Sequence, residues 1–232
     1  SSYRKLDQTQ YDNGAQFLSV YAPGAAFSRY SMAKVYQEQY SQEFQVIGHT
    51  DQLEYVFGAL YFHEKVRDNA QTPNTMQWNA TGTGYTTLSI DLNTVPFDRA
   101  SHVVTDSYGV FGQVVWTPAG LQDLHLTLGG RLTKDQKKGS LDTVNGALPS
   151  YVNASKQVIV GRVPLDESWS RFDPLVTVAY DVTPDVNLYG RWSTGYKSGG
   201  ANSRSLTYRA FDPETVSMYE LGAKTQFWEN RA

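Results

Sequence analysis

The chain has 232 residues, a formal net charge of −3 and a pI near 5.8, so there is no basic footprint and nucleic acid is excluded as a partner. Mean hydropathy is −0.46 and no run approaches the roughly 18 apolar residues of a spanning helix, which excludes a helical membrane protein but not a β-barrel, where only every second strand residue meets lipid. Cysteine is absent, which removes disulfides and thiolate metal sites, while 16 Tyr, 10 Phe, 5 Trp and 19 Gly suit strands and turns.

The chain opens SSYRKLD, with no charged n-region and apolar core, so no signal peptide is visible and the start of an exported protein is expected elsewhere. Period-two alternation predicts eight strands in chain order. A short opening piece covers residues 2–6, followed by 40–48 and by 52–64. In the third, Leu53, Tyr55, Phe57, Ala59 and Tyr61 alternate with a mixed second face. Residues 108–117 are the fourth, and 124–135 the clearest: Leu124, Leu126, Leu128, Gly130 and Leu132 on one side, His125, Thr127, Gly129, Arg131, Thr133 and Asp135 on the other. Residues 171–181 follow, with Pro174 requiring a bulge or a missing ladder bond. Residues 186–197 put Val186, Leu188, Trp192 and Tyr196 opposite Asn187, Tyr189, Arg191, Ser193 and Lys197. Residues 215–227 complete the set. Several of these runs reach about 10 to 13 residues, close to what a tilted strand needs to cross a bilayer.

The predicted connections alternate in length. Residues 48–52, 118–123 and 181–185 are short, whereas about 8–37, 65–105, 136–167 and 198–213 are long. All long loops therefore leave one end of the sheet, as in outer-membrane barrels with short periplasmic turns and long extracellular loops. Aromatic residues fall near strand ends, at Tyr40, Tyr61, Trp116, Trp169, Phe172, Tyr180, Tyr196, Phe227 and Trp228, as the girdles at the two lipid interfaces require.

Several segments carry a family resemblance. YSQEFQVIG before LEYVFGALYF, then VFGQVVWTP, LTLGGRLTKDQK, LYGRWSTGYKSGGAN and FDPETVSMYELGAKTQF resemble successive barrel segments of TonB-dependent outer-membrane receptors, in the family's order. The resemblance runs from Tyr40 to the end, and more loosely through the YRKLD opening. It implies an all-β fold: an antiparallel transmembrane β-barrel segment, about eight strands of a barrel of about 22. The family's plug domain and TonB-contacting box are not in these 232 residues, so the segment is expected to be the central part of a longer receptor. The resemblance implies active import, with no covalent catalysis and no cofactor. The expected ligand is a ferric siderophore or similar iron complex, with cobalamin and oligosaccharides the family's lesser classes. Partners are the TonB complex, the lipid bilayer and lipopolysaccharide, and the location is the bacterial outer membrane.

In that reading Glu43, Arg131, Asp173, Arg191, Lys197, Glu220 and Lys224 point into the lumen, since a charge in hydrocarbon costs a few kcal/mol at mid-depth. Most are expected to pair wall with plug rather than touch ligand. Ligand contacts are expected from Tyr30, Tyr36, Trp78, Tyr85, Tyr151, Arg204 and Tyr208 in the long loops. Other chemistry fails on spacing. GRWSTGYKS at 190–198 misses the phosphate-loop pattern by the extra Tyr196, and His49, His63, His102 and His125 show no metal-ligand spacing. No GxSxG elbow occurs, and Asn79-Ala80-Thr81 and Asn153-Ala154-Ser155 match the glycosylation pattern no better than chance allows. Two rival readings stay open: an eight-stranded anchor or adhesin barrel, whose first and last strands would pair, and a soluble carbohydrate-binding β-sandwich with a dry two-sheet core.

Overall fold

The computed structural model describes residues 1–12, 23–91, 95, 97–144, 146–153, 155–203 and 208–226. In chain order the strands are β1 (Ser2–Asp12), β2 (Ala26–Arg29), β3 (Ser31–His49), β4 (Leu53–Gln71), β5 (Asn74–Trp78), β6 (Tyr85–Thr87), β7 (Arg99–Trp116) and β8 (Leu124–Val144). They continue as β9 (Ser150–Val152), β10 (Val158–Val160), β11 (Val163–Thr183), β12 (Val186–Lys197), β13 (Gly200–Ala201), β14 (Ala210–Phe211) and β15 (Glu214–Thr225).

One antiparallel sheet of eight strands runs β1-β3-β4-β7-β8-β11-β12-β15, so every long strand pairs with its neighbour in sequence. The eight predicted strands are these eight. Their short links share one end and their long links the other. Thr50 closes the β3–β4 turn, its Oγ1 accepting the Leu53 amide at 3.1 Å. Between β7 and β8 the Leu121 amide donates to the Pro118 carbonyl at 3.0 Å, and Gly120 at φ +80° supplies the left-handed residue such a turn requires.

Cross-strand register assigns each side chain to a face. Ladder partners on one side include Phe57 with Val46, Ala59 with Val110, Val110 with Leu132, Leu132 with Phe172, Leu128 with Val176, and Gly190 with Leu221. No Asp, Glu, Lys or Arg stands on this face from Leu53 to Tyr61, Tyr108 to Trp116, Leu124 to Leu132 or Phe172 to Tyr180. This apolar face is nonetheless uncovered: Leu128 is 64% and Leu221 90% exposed, while Thr133 and Asp135 on the opposite face are 8% and 7% exposed. A soluble sheet buries the other side, and soluble monomers rarely show contiguous apolar patches above a few hundred Å². Among the described residues no second layer packs on Leu124, Leu126 and Leu128, so the β-sandwich reading has no support. The eight-stranded closed barrel is also unsupported: among the described residues β1 pairs only with β3 and β15 only with β12.

Tyrosines mark one border of the band, with Tyr61 between Tyr40 and Tyr108 at centroid distances of 6.3 and 5.2 Å. Trp116 and Tyr180 mark the other. The eight steps from Tyr108 to Trp116 span about 27 Å along the strand at ~3.4 Å per residue, or roughly 21 Å at a ~40° tilt, near the ~25 Å apolar height of outer-membrane barrels. Trp169 does not belong to either border. It lies opposite Asp135 on the polar face, because its position in β11 is odd where Phe172 and Tyr180 are even. Phe227 and Trp228 lie outside the described residues.

The strands run further than alternation predicts. β1 continues to Asp12 rather than Leu6, and β3, β4, β7, β8 and β11 extend through stretches expected as loop. Beyond the tyrosine border the outer face turns polar and the other face mixes polar with apolar residues, so the ladder continues while the period-two signal fades. Here the sheet also gains a dry core: Leu141, Val163, Leu165 and Tyr208 are buried, with Val103, Val144, Tyr151 and Ala201 packed on them.

Gly139 sits where β8 approaches the backbone of β7, beside the bulge at Ala100/Ser101; an added Cβ would collide with the His102 carbonyl and the Val103 Cα. Gly139→Val is expected to lower the local opening free energy of this hairpin by about 1–3 kcal/mol. Hydrogen exchange on the full-length protein measures it, and unchanged protection of the β7 and β8 amides would contradict the close approach.

Candidate functional site

The polar face of the sheet is the side with chemical content. Alternate residues of β7, β8, β11 and β12 line a hollow of about 680 Å³ that contains Ser107, Arg131, Asp135, Asp173, Arg191 and Tyr196. Arg131 lies over β7, where Gly109 leaves room for its guanidinium, and its Nε donates to Thr133 Oγ1 at 3.1 Å. Asp173 accepts from Thr194 Oγ1 at 2.8 Å and forms an ion pair with Arg171 at 3.4 Å. Among the described residues the buried Nε of Arg191 has no hydrogen-bond partner. A cation held this way on a polar wall can donate to an anionic or carbonyl group of whatever fills the hollow.

Three of the seven expected wall charges, Arg131, Asp173 and Arg191, thus share this hollow. Glu220 lies beside Arg191 in the β12–β15 ladder and accepts the Tyr189 hydroxyl at 2.7 Å. Lys224 stands over the Tyr189 ring at 5.5 Å. Glu43 is away from this group and accepts from Gln45 Nε2 on the same strand. Lys197 is exposed and pairs at 4.0 Å with Glu214. Tyr196, expected on the apolar side, instead lines the hollow. The β11–β12 ladder ends at Leu175↔Ser193, and from Thr194 to Lys197 β12 is paired on one side only, with β15.

Sequence reasoning missed a second polar network near the short-turn end. Thr117 Oγ1 meets His125 Nδ1 at 2.9 Å, His125 Nε2 meets Asp181 at 2.9 Å, and Asn187 donates to Asp181 at 2.7 Å. It ties four strands together. The signal was the coincidence of polar residues at adjacent strand ends, which becomes visible only once the register is known.

The long-loop aromatics form separate groups rather than one pocket. Trp78 stacks on Phe27 at 4.6 Å and Tyr85 meets the same ring edge-on at 5.8 Å, within the small sheet β2-β5-β6. Tyr30 contacts Tyr11 at 5.8 Å, and Tyr36 lies exposed on β3 opposite Asp7 and Arg67. Tyr151 and Tyr208 join the dry core instead, and Tyr208 is only 2% exposed. Arg204 lies outside the described residues. Tyr208 belongs to a connection that turns across the polar face: Lys137 Nζ donates to the Gly199 carbonyl at 2.7 Å and Ser203 Oγ to Asp68 at 2.8 Å. Among the described residues no group of three or more acidic, His or Cys side chains is placed to hold a metal ion.

The family model described as "TonB dependent receptor-like, beta-barrel" matches residues 1–232. The fold is similar to the ferric yersiniabactin uptake receptor FyuA of Yersinia pestis, with a TM-score of 0.62 and 14% identity over 87% of this chain and 28% of that one. It is also similar to BauA, the ferric preacinetobactin receptor of Acinetobacter baumannii, with a TM-score of 0.51 and 17% identity over 86% of this chain and 28% of that one. The chain thus spans little more than a quarter of either solved structure. None of the curated proteins matches it by sequence.

Burial, and to a lesser extent the charge of Asp142, push the Tyr208 phenol up from 10.0 to about 12. An acid whose folded pKa is raised keeps its full contribution below the unfolded value and loses it as pH rises towards the folded one. The dry core is therefore expected to loosen between pH 10 and 12. Proteolysis of the 198–213 connection in the full-length protein is expected to accelerate over that window. Tyr208→Phe should abolish the acceleration without weakening the core at neutral pH, because among the described residues the buried hydroxyl has no hydrogen-bond partner to lose. A pH profile identical in the Phe variant would contradict this assignment.

Proposed function

The chain belongs to the TonB-dependent receptor β-barrel family, and from that premise we propose that it forms about a third of the wall of an outer-membrane barrel that imports a ferric siderophore or similar iron chelate. The carrying observation is the inverted burial of the sheet: an uncovered face without charge, bordered by aromatic rings, backed by a polar wall. Acyl chains satisfy the first face and a hydrated, plugged lumen the second. The ligand class is supported by the two structural neighbours, both receptors for ferric chelates.

In this account the wall contributes no covalent step. The long-loop end faces the outside of the cell and captures the chelate. The TonB complex then acts on the plug, and the plug's movement opens a path along the polar wall. Arg131, Asp173 and Arg191, with Glu220 and Lys224 beside them, present fixed charge to the plug. Glu43 and Lys197 extend the polar lining on either side. Among the loop aromatics, Trp78 and Tyr85 are the ligand contacts we favour. They sit on one small sheet where rings are held at little entropic cost, and Tyr85 remains open to solvent. Tyr30, Tyr36 and Arg204 complete the capture surface; Tyr151 and Tyr208 act by holding the loops in place.

Radiolabelled iron uptake in a strain lacking the full-length receptor tests the reading. A defect for at least one ferric chelate, restored by the wild-type gene, is expected, and Trp78→Ala with Tyr85→Ala should weaken chelate binding roughly 10- to 100-fold, about 1–3 kcal/mol. Normal uptake from every iron source in the deletion strain would contradict the iron assignment.

A further inference from the structure

The small sheet β2-β5-β6 has two edges, and they are built differently. Natural sheets blunt an edge with bulges, charge or proline, because its unpaired amides and carbonyls are a template for a further strand. β2 follows that rule: its register with β5 shifts between Ala26 and Ser28 and again between Ser28 and Arg29, and it ends on a charge. β6 does not. Its ladder with β5 runs through Met76↔Thr87, Gln77↔Thr86 and Trp78↔Tyr85 without a shift, and no Asp, Glu, Lys, Arg or His occurs from Asn69 to Ile90. The stretch GYTTLSI, from Gly84 to Ile90, is rich in aromatic and β-branched residues and holds no proline, the composition of a strand that pairs readily.

The ladder also fixes where each backbone group of β6 points. In an antiparallel pair, rungs that bond each other alternate with rungs whose amides and carbonyls turn outward. The Leu88 amide donates to the Thr75 carbonyl at 2.8 Å and the Asn79 amide to the Gly84 carbonyl at 2.9 Å, so Thr75, Gln77 and Asn79 are the residues of this strand that bond across to β6. The rungs between them turn away. Trp78 does so on the β2 side, where its amide donates to the Ala25 carbonyl at 2.9 Å. On the other side the same geometry turns the amides and carbonyls of Tyr85 and Thr87 away from β5. Among the described residues β5 is the one neighbour of β6, and these outward groups have no hydrogen-bond partner. The side chains beside them are open too, with Tyr85 60% exposed and Thr86 and Thr87 exposed.

The outward groups select the occupant. They lie two residues or roughly 6.8 Å apart, each a donor beside an acceptor, which is the repeat that another strand presents. Height argues against lipid: Gln71, at the end of β4, is ten residues past Tyr61, or about 26 Å beyond the aromatic border at a ~40° tilt, and the polar layer of a bilayer is only roughly 5–8 Å deep. β5 begins three residues later. That placement rests on the outer-membrane reading above; the open edge does not. An edge without charge suits an uncharged strand. On one face Tyr85 stands with Trp78 and Phe27, so an incoming strand gains most from an aromatic or β-branched side chain there.

We propose that the β6 edge, through the backbone of Tyr85 and Thr87, is a docking site for an extended, uncharged, β-prone segment of a partner protein, which adds to the small sheet as a fourth strand. The contact is made by backbone groups at the edge, whereas the chelate contact proposed above is made by rings on the face. The two can therefore be tested apart.

Hydrogen exchange on the full-length receptor in detergent, read at single residues, tests it. The probe is a capped peptide of alternating Thr and Val with one lysine at each end for solubility, and the control is the same peptide N-methylated at every residue, which cannot complete a ladder. In excess, the probe is expected to slow exchange at the Tyr85 and Thr87 amides about tenfold, the factor given by one net hydrogen bond. The Thr86 amide, already bonded within the sheet, should be unchanged, and the control should have no effect. Thr87→Pro removes one outward amide that no bond of the sheet uses, and proline is tolerated at such a position on an edge strand. The variant should keep the protection of Thr86 and Leu88 and lose the effect of the peptide at Tyr85. The control peptide decides on the wild type alone, whatever the proline does to the sheet. No slowing by the probe, or equal slowing by probe and control, overturns the proposal. So would Tyr85 and Thr87 amides as slow as that of Thr86 in the free receptor, since the receptor would then cover its own edge. Protection that grows with receptor concentration in the absence of peptide would make a second copy the occupant and also overturns it.

Discussion

The constraint on which this structure depends is the strict exchange of environment at every residue of a strand. A side chain that points one way must be content in an apolar medium, and the next must be content among polar groups. β8 obeys this from Leu124 to Thr133, and its partners β7 and β11 keep the apolar face free of charge over the same rungs. A one-residue slip in any ladder would put Arg131 or Asp173 on the apolar face, at a cost of a few kcal/mol each. Register, turn length and the two aromatic borders are all consequences of avoiding that slip.

The polar side is organised by hydrogen bonding rather than by hydrophobic packing. Asp173 with Thr194, Tyr189 with Glu220, and His125 with Asp181 each span neighbouring strands. Such contacts lock the wall without filling it, which leaves the 680 Å³ hollow open. Past the aromatic border the rule relaxes. There the strands remain paired but lose their apolar face, and the dry core around Leu141 and Tyr208 takes over as the stabilising element. The connection after β12 turns across the polar face at this level, tied by Lys137 and Ser203.

Where the alternation operates, the fold was legible in the sequence. The strand around Leu128, the apolar series Leu53 to Tyr61 and the short turn at Gly120 were all readable from side-chain type alone. The segments that carry the family resemblance, such as LTLGGRLTKDQK and FDPETVSMYELGAKTQF, lie on β8 and over the whole of β15. Legibility failed where a different force acts. Residues 65–71 and 136–144 are strand because their backbones stay paired, a fact that their irregular mix of polar and apolar side chains does not report. Tyr196 lines the polar hollow where β12 has left β11 and keeps only β15 as a partner, and Trp169 was misplaced by reading aromatic character before position. The candidate site was less readable. The sharing of one hollow by Arg131, Asp173 and Arg191 depends on three strands being in register, and the burial of Tyr208 depends on a loop returning over β8 and β11.

Site-directed spin labelling of the full-length protein in lipid vesicles probes the exchange of environment most directly, and this segment contributes no cysteine to interfere. Labels placed singly at positions 126, 127, 128, 176, 177 and 178 should alternate. Those at 126, 128, 176 and 178 should be relaxed by oxygen, which partitions into acyl chains. Those at 127 and 177 should be relaxed less by oxygen, being turned towards the polar wall. Uniform accessibility along both strands, or labels at 126 and 128 shielded from both oxygen and a water-soluble nickel chelate, would contradict the account.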